Sequence, residues 1–193
     1  MGGDILDDIK LSKTIAYALR HNPLEFNLVL DSDGFADVFI LINSLKKDSR
    51  FKDVSLDDIK RVVINDSKGR YLLLDNKIKA FSGHSVKENI NQVEIIPPSI
   101  LYHGTSPLSV FSIMNKGLLP MERQYVHLSS DIDTAYSVGL RKHDNPVILV
   151  IDTIKAREFG VKFYVTNNNS YLASSIPSLF IKELEKWELK MSF

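Results

Sequence analysis

With 193 residues, 44% of them hydrophobic, the chain can build packed cores for one medium domain or two small ones, which excludes wholesale disorder. The absence of cysteine excludes disulfides, thiolate zinc sites and a cysteine nucleophile. Lys+Arg and Asp+Glu number 24 each, so a diffuse basic coat for nucleic acid is excluded and any phosphate-bearing partner must be held by a local cluster.

The first predicted helix lies in LSKTIAYALRHNP (residues 11–23), where Leu11, Ile15, Ala18 and Leu19 share one face. Pro23 ends it by disfavouring helical geometry at Asn22. Val38, Leu41, Ile42 and Leu45 repeat the stripe behind Asp37, a natural cap. Ser55 and Asp58 form a capping-box pattern ahead of Ile59, Val62 and Val63. Lys68-Gly69 signals a turn, Tyr71 to Leu74 reads as a strand, and Asp75-Asn76 returns the chain through Lys77 to Phe81. Three helices and a two-stranded ribbon suggest a winged-helix-like module.

A domain break is expected at Ile96-Pro97-Pro98, because two prolines interrupt backbone hydrogen bonding. It divides the chain into residues 1–96 and 97–193. The second part reads as β-rich, with strands at Ile100 to His103, Tyr125 to Leu128, Val147 to Ile151 and Phe163 to Val165. Short helices are predicted at Leu108 to Lys116, ended by Gly117, at Asp131 to Val138, and at Thr153 to Phe159, ended by Gly160. The stretch from Phe180 to Leu189 fits either strand or helix. The fold class expected is α+β. No apolar run approaches the roughly 20 residues that span a bilayer, and MGGDILDDIK lacks a charged-then-apolar signal pattern. A soluble cytoplasmic or otherwise intracellular protein without membrane contact is expected.

Arg20 and His21 are adjacent at the end of the first helix. Such a pair ordinarily does no more than complement the helix macrodipole, but the flanking apolar stripe docks this helix and so fixes where the pair points. Arg70 follows a glycine at a strand start, and Arg123 lies in Pro120-Met121-Glu122-Arg123 before another strand. Each alone reads as a solvated surface arginine. Three guanidiniums and an imidazole together suit a phosphate, since arginine holds phosphate oxygens bidentately and histidine exchanges protons near neutral pH.

His103-Gly104-Thr105 ends one strand, where Gly104 permits close approach of a ligand to the backbone. His127-Leu128-Ser129 ends the next. A strand-to-helix turn capped by Thr105 or Ser106 accounts for one such feature; the two together suggest a pocket with polar walls. The five histidines show no i,i+4 pair and no HExxH motif, which argues against a metal centre. GxGxxG, GxxxxGK[ST] and GxSxG loops do not occur.

LSKTIAYALRHNP (11–23), LVLDSDGFADV (28–38), NDSKGRY (65–71) and SGHS (82–85) resemble, in order, the amino-terminal lobe of RNA 2′-phosphotransferases. LYHGTS (101–106), GLLPMERQYVHLS (117–129) and NNNSYLASSIP (167–177) resemble the carboxy-terminal lobe. The resemblance implies a winged-helix lobe joined to an ADP-ribosyltransferase-like lobe that binds NAD as co-substrate, without a metal. It implies transfer of an internal RNA 2′-phosphate, such as that at a tRNA splice junction, to NAD. The products are RNA with a 2′-hydroxyl, nicotinamide and ADP-ribose 1″,2″-cyclic phosphate, formed through a 2′-phospho-ADP-ribosylated RNA. It implies that Arg20, His21, Arg70 and Arg123 are catalytic and that His103, Gly104, Thr105, His127 and Ser129 contact NAD. RNA bearing a 2′-phosphate, with tRNA foremost, is the implied partner, and a monomer is expected.

Two departures stand out. The family pattern Arg-Ala-x-Gln-Gly-His-Ser reads here Lys79-Ala80-Phe81-Ser82-Gly83-His84-Ser85, so serine replaces glutamine at position 82. Ser170 stands where the family usually has valine, and near where typical ADP-ribosyltransferases carry a glutamate base. Two alternatives compete: an ADP-ribosyltransferase that leaves ADP-ribose on its acceptor, and a non-catalytic winged-helix nucleic-acid binder. The missing glutamate argues against ordinary protein modification, and zero net charge argues against the binder.

Overall fold

The computed structural model describes residues 7–87, 90–166 and 170–184. The chain divides between Asn91 and Gln92 into two compact units, and the fold is α+β.

In the first unit, α1 (Asp8–Arg20) starts where the Asp7 carboxylate accepts hydrogen bonds from the Ile9 and Lys10 N–H groups, at 3.1 and 3.0 Å. It buries the predicted stripe Leu11, Ile15, Ala18 and Leu19, together with Ser12. Asn22 leaves helical geometry and Pro23 opens a 3₁₀ turn, Pro23–Phe26. A short strand β1 (Phe35–Asp37) precedes α2 (Val38–Leu45), which Asp37 caps. The Ser55/Asp58 capping box opens α3 (Leu56–Ile64). The hairpin β2 (Tyr71–Leu74) and β3 (Lys77–Ala80) then completes an antiparallel sheet in the order β1-β3-β2. Three residues of β1 carry too little periodicity to be predicted; pairing with β3, from Phe35↔Lys79 to Asp37↔Lys77, is what makes them a strand.

The helix stripes and the buried side chains of Tyr71, Ile78 and Ala80 form one core. The Tyr71 hydroxyl donates to the Ser12 carbonyl at 2.6 Å and lies 3.1 Å from the Ser12 hydroxyl, which fastens β2 to α1.

The second unit runs β4 (Ile100–Thr105), α4 (Pro107–Lys116), β5 (Val126–Ser129), α5 (Ile132–Gly139), β6 (Val147–Asp152), α6 (Thr153–Glu158), β7 (Phe163–Val165), β8 (Ser170–Ala173) and β9 (Ile181–Glu183). Its antiparallel sheet has the order β7-β8-β5-β4-β6-β9. Ser106, rather than Thr105, caps α4, because Thr105 is the last residue of β4. The ambiguous stretch after Phe180 begins as a strand through Glu183; the part of it from residue 185 onward, like Asn167 to Asn169, lies outside the described residues. Among the described residues no helix is long and apolar enough to cross a membrane.

One sheet face buries Leu101, Val126, Leu128, Leu149, Ile151, Phe163 and Ala173. On the other face α5 sits directly against β4. A Cβ on Gly104 would stand 1.8 Å from the Ala135 carbonyl oxygen and 2.9 Å from the Gly139 nitrogen. The space that the missing side chain opens at Gly104 is filled by the α5 backbone, so the glycine is required for α5 to pack this closely on β4.

Each unit also buries an imidazole. His84 is 3% exposed and its Nε2 has no hydrogen-bond partner among the described residues. Burial, joined by Arg20, His21 and Lys79, pushes its pKa down to about 4. Burial likewise pushes His103 down to about 4; its bond to the His127 carbonyl opposes that shift and Lys142 adds to it. Both rings are neutral at pH 7.

Gly104→Ala is expected to lower stability by about 2–3 kcal/mol or more, because backbone rather than a flexible side chain must move; urea unfolding measures it. The depressed histidines set a pH window. An unfolded imidazole takes a proton near pH 6.5 and the folded one only near 4, so stability is full above 6.5 and declines as pH falls toward 4. His84→Leu is expected to flatten part of that decline in urea titrations across the window. Parallel curves for the two proteins would mean that His84 takes up its proton as readily in the folded state as in the unfolded one.

Candidate active site

In the first unit Arg20 and His21 are adjacent at the end of α1, and Arg20 and Arg70 both lie within electrostatic reach of Tyr71. Arg20 ends α1, and its guanidinium lies over Gly83: a Cβ there would meet Arg20 Cδ at 3.5 Å and Cζ and Nε at 3.6 Å. Gly83 has φ +88°, a conformation that glycine adopts without strain. His21 caps α1 through its N–H, which donates to the Tyr17 carbonyl, and its Nδ1 lies 2.9 Å from the Ser85 hydroxyl. The Ser85 N–H donates to the Arg20 carbonyl at 2.9 Å. The segment 82–85 thus folds back onto the helix end that carries both candidate residues.

Arg70 is held differently. Its Nε and Nη2 reach Asp66 Oδ1 at 2.8 and 2.7 Å, and its N–H donates to Asp66 Oδ2. The Asp66 side chain is 2% exposed. Burial alone would raise its pKa, but the Arg70 guanidinium and N–H outweigh burial and hold the carboxyl below its ordinary value. The Arg70 guanidinium also stands 5.4 Å from the centre of the Tyr71 ring. Burial raises the Tyr71 pKa, and Arg70 and Arg20 both act against that rise; the two guanidiniums are within electrostatic reach of one phenol. Asp66 grips one edge of the Arg70 fork, and the opposite edge is directed away from the carboxylate with geometry suited to an oxyanion.

Arg123 belongs to the second unit, in the turn before β5, where its N–H donates to the Pro120 carbonyl at 3.1 Å. Lys142, beyond α5, has its pKa lowered by desolvation and then by Arg123, and Lys142 in turn acts on His103. Strands β4 and β5 are paired at Tyr102↔Ser129. Across that seam the His103 side chain reaches the His127 carbonyl, at 2.8 Å. A carbonyl only accepts, so Nδ1 carries the proton. With the ring neutral, Nε2 is an acceptor, suited to a hydroxyl donor such as that of a ribose.

The expected polar-walled pocket takes a different form. Strand alternation directs His103 and Thr105 to the face of Leu101, and His127 and Ser129 to the opposite face, away from Val126 and Leu128. The five residues flank one seam from its two sides instead of lining one wall. Thr105 and Ser129 are buried. Sequence reasoning did not single out Asp66, Ser85 or Lys142. An acid four residues before Arg70 was the available signal for Asp66; Ser85 and Lys142 carried none beyond their places near motifs.

A family model described as "RNA 2'-phosphotransferase, Tpt1 / KptA family" matches residues 6–175. A protein of Bacillus thuringiensis subsp. konkukian, named "Probable RNA 2'-phosphotransferase", is 48% identical over 171 residues, 89% of this chain and 92% of that protein. Relatives with the same name occur in Acetivibrio thermocellus, 43% identical over 92% of this chain and 98% of that protein, and in Pyrococcus horikoshii, 38% identical over 87% and 94%. The chain belongs to the RNA 2'-phosphotransferase family.

Proposed function

We propose that the protein transfers an internal RNA 2′-phosphate to NAD, with tRNA as the foremost RNA, and that its first unit is a winged-helix-like lobe and its second an ADP-ribosyltransferase-like lobe. The observation that carries the reading is that, in the first unit of a chain of this family, Arg20 and Arg70 both act on the Tyr71 phenol, Arg70 is gripped by Asp66, and His21, next to Arg20, is paired with Ser85.

In the first step a 2′-phosphate oxygen attacks the anomeric carbon of the nicotinamide ribose. The carbon–nitrogen bond breaks and nicotinamide leaves with the electron pair, giving RNA joined through its 2′-phosphate to ADP-ribose. Since nicotinamide is a good leaving group, the task is alignment of the nucleophile. In the second step the 2″-hydroxyl attacks phosphorus. The RNA 2′-oxygen leaves and ends with a proton, and ADP-ribose 1″,2″-cyclic phosphate is released. Charge builds on the phosphoryl oxygens, where preorganised guanidiniums stabilise it without a metal. Arg20, Arg70 and Arg123 are assigned to those oxygens and His21 to the phosphate or the reacting ribose. His103, Gly104, Thr105, His127 and Ser129 are assigned to NAD, with His103 Nε2 accepting from a ribose hydroxyl. A phosphate nucleophile is already ionised at neutral pH, so the glutamate base missing near Ser170 is not required.

Mass spectrometry of products from 2′-phosphorylated RNA plus NAD is expected to show dephosphorylated RNA, nicotinamide and the cyclic phosphate, with nicotinamide release dependent on the 2′-phosphate. Stable ADP-ribose on the acceptor would instead identify another ADP-ribosyltransferase. RNA binding without NAD binding in calorimetry would identify a non-catalytic binder. Arg123→Ala is expected to slow turnover about 100-fold or more. Arg70→Lys, which keeps charge but loses the fork, is expected to slow it about tenfold or more. Unchanged turnover in either variant removes that residue from the active set.

A further inference from the structure

We propose that Ser85 is a positioning residue that orients the His21 imidazole. The inference rests on the reading of His21 as a catalytic residue and adds to it the group that fixes its ring.

The loop containing Ser85 meets the end of α1 at Gly83 and at Ser85, with buried His84 between them. Gly83 lies against the Arg20 side chain, which its φ of +88° permits. His84 turns inward and is buried, anchoring the loop in the first unit. Ser85 then makes two bonds of different kinds: its N–H donates to the Arg20 carbonyl at 2.9 Å, and its hydroxyl pairs with His21 Nδ1 at 2.9 Å. The backbone bond sets the path of the loop and does not need the serine side chain. The hydroxyl bond does something separate. A histidine at an exposed helix end samples several rotamers; a hydroxyl at Nδ1, able to donate or accept, selects one ring orientation. With Nδ1 engaged by Ser85, contact with the reacting groups falls to Nε2.

Both side chains are exposed, so their hydrogen bond contributes little to stability. Its effect belongs to catalysis. The partners are 64 residues apart in the chain, so the relationship exists only in the folded unit.

The test uses the full chain with Ser85→Ala, Ser85→Thr, His21→Ala and the Ser85→Ala/His21→Ala double variant. Single-turnover kinetics with NAD and 2′-phosphorylated RNA, urea unfolding, and ¹⁵N NMR of the His21 ring are the readouts. Ser85→Ala is expected to leave the unfolding midpoint unchanged, to slow turnover about fivefold to tenfold, and to shift the His21 ring nitrogens as Nδ1 exchanges its serine partner for water. Ser85→Thr is expected to restore rate and shifts, because it retains the hydroxyl. In the His21→Ala background, Ser85→Ala is expected to cause no further loss. Unchanged ring shifts in Ser85→Ala, wild-type turnover in that variant, or an additive loss in the His21→Ala background would each overturn the proposal. Should the wild-type protein leave 2′-phosphorylated RNA untouched, the functional reading fails, while the ring shifts alone still decide whether Ser85 orients His21.

Discussion

What the first unit offers to a phosphate depends on one buried contact, the Tyr71 hydroxyl donating to the Ser12 carbonyl at 2.6 Å. Ser12 lies in the middle of α1 and Tyr71 is the first residue of β2. The bond therefore fixes the helix that ends in Arg20 and His21 relative to the strand that follows Arg70. A mid-helix carbonyl already accepts within its helix; its second lone pair is what Tyr71 uses. A buried phenol needs such a partner, since an unsatisfied hydroxyl there would carry the full desolvation cost. The pairing is thus enforced by burial, and the relative placement of the two arginines comes with it.

Beyond that anchor the two arginines are held by opposite means. Arg70 is gripped by a nearly fully buried carboxylate that binds one edge of its fork. Arg20 is bedded against a glycine whose backbone makes room for it. Removing Asp66 would free the orientation of Arg70, whereas a side chain at Gly83 would strain the backbone against which Arg20 rests, its Cβ meeting Arg20 at ordinary contact distance. Neither device supplies charge to the site. Both restrict where existing charge can go, which is what a reaction limited by alignment of a phosphate requires.

Most of the skeleton was legible because it follows from local rules. The α1 stripe, the Asp37 cap, the Ser55/Asp58 capping box and the β2–β3 turn each depend on residues within a few positions of one another. β1 was not legible, because a three-residue strand is defined by its partner. Gly104 was legible as a site of close approach, but the sequence could not say that a helix would be what approaches. The opposite facing of His103 and His127 was readable in principle: Leu101 shares parity with His103, while Val126 and Leu128 flank His127. The Ser85 and Tyr71 contacts were beyond sequence reach, since each joins positions about sixty residues apart, where only the folded chain decides neighbours.

Zero net charge and a phosphate substrate are reconciled by this arrangement. A uniformly basic surface would attract RNA by counterion release along its whole backbone and would distinguish one phosphate from another poorly. In the proposed reading attraction falls to a few guanidiniums, and one of them, Arg70, is partly neutralised by its own carboxylate. The Asp66 pairing gives up long-range attraction at Arg70, but the attraction that is lost is the part salt would screen anyway. What remains is short-range and directional: a planar fork, oriented in advance by Asp66, whose geometry suits a phosphate. Neutral His84 fits the same logic. A charged imidazole among Arg20, His21 and Lys79 would repel all three; by staying neutral down to about pH 4 it lets the loop pack tightly beside the cations without adding to their repulsion.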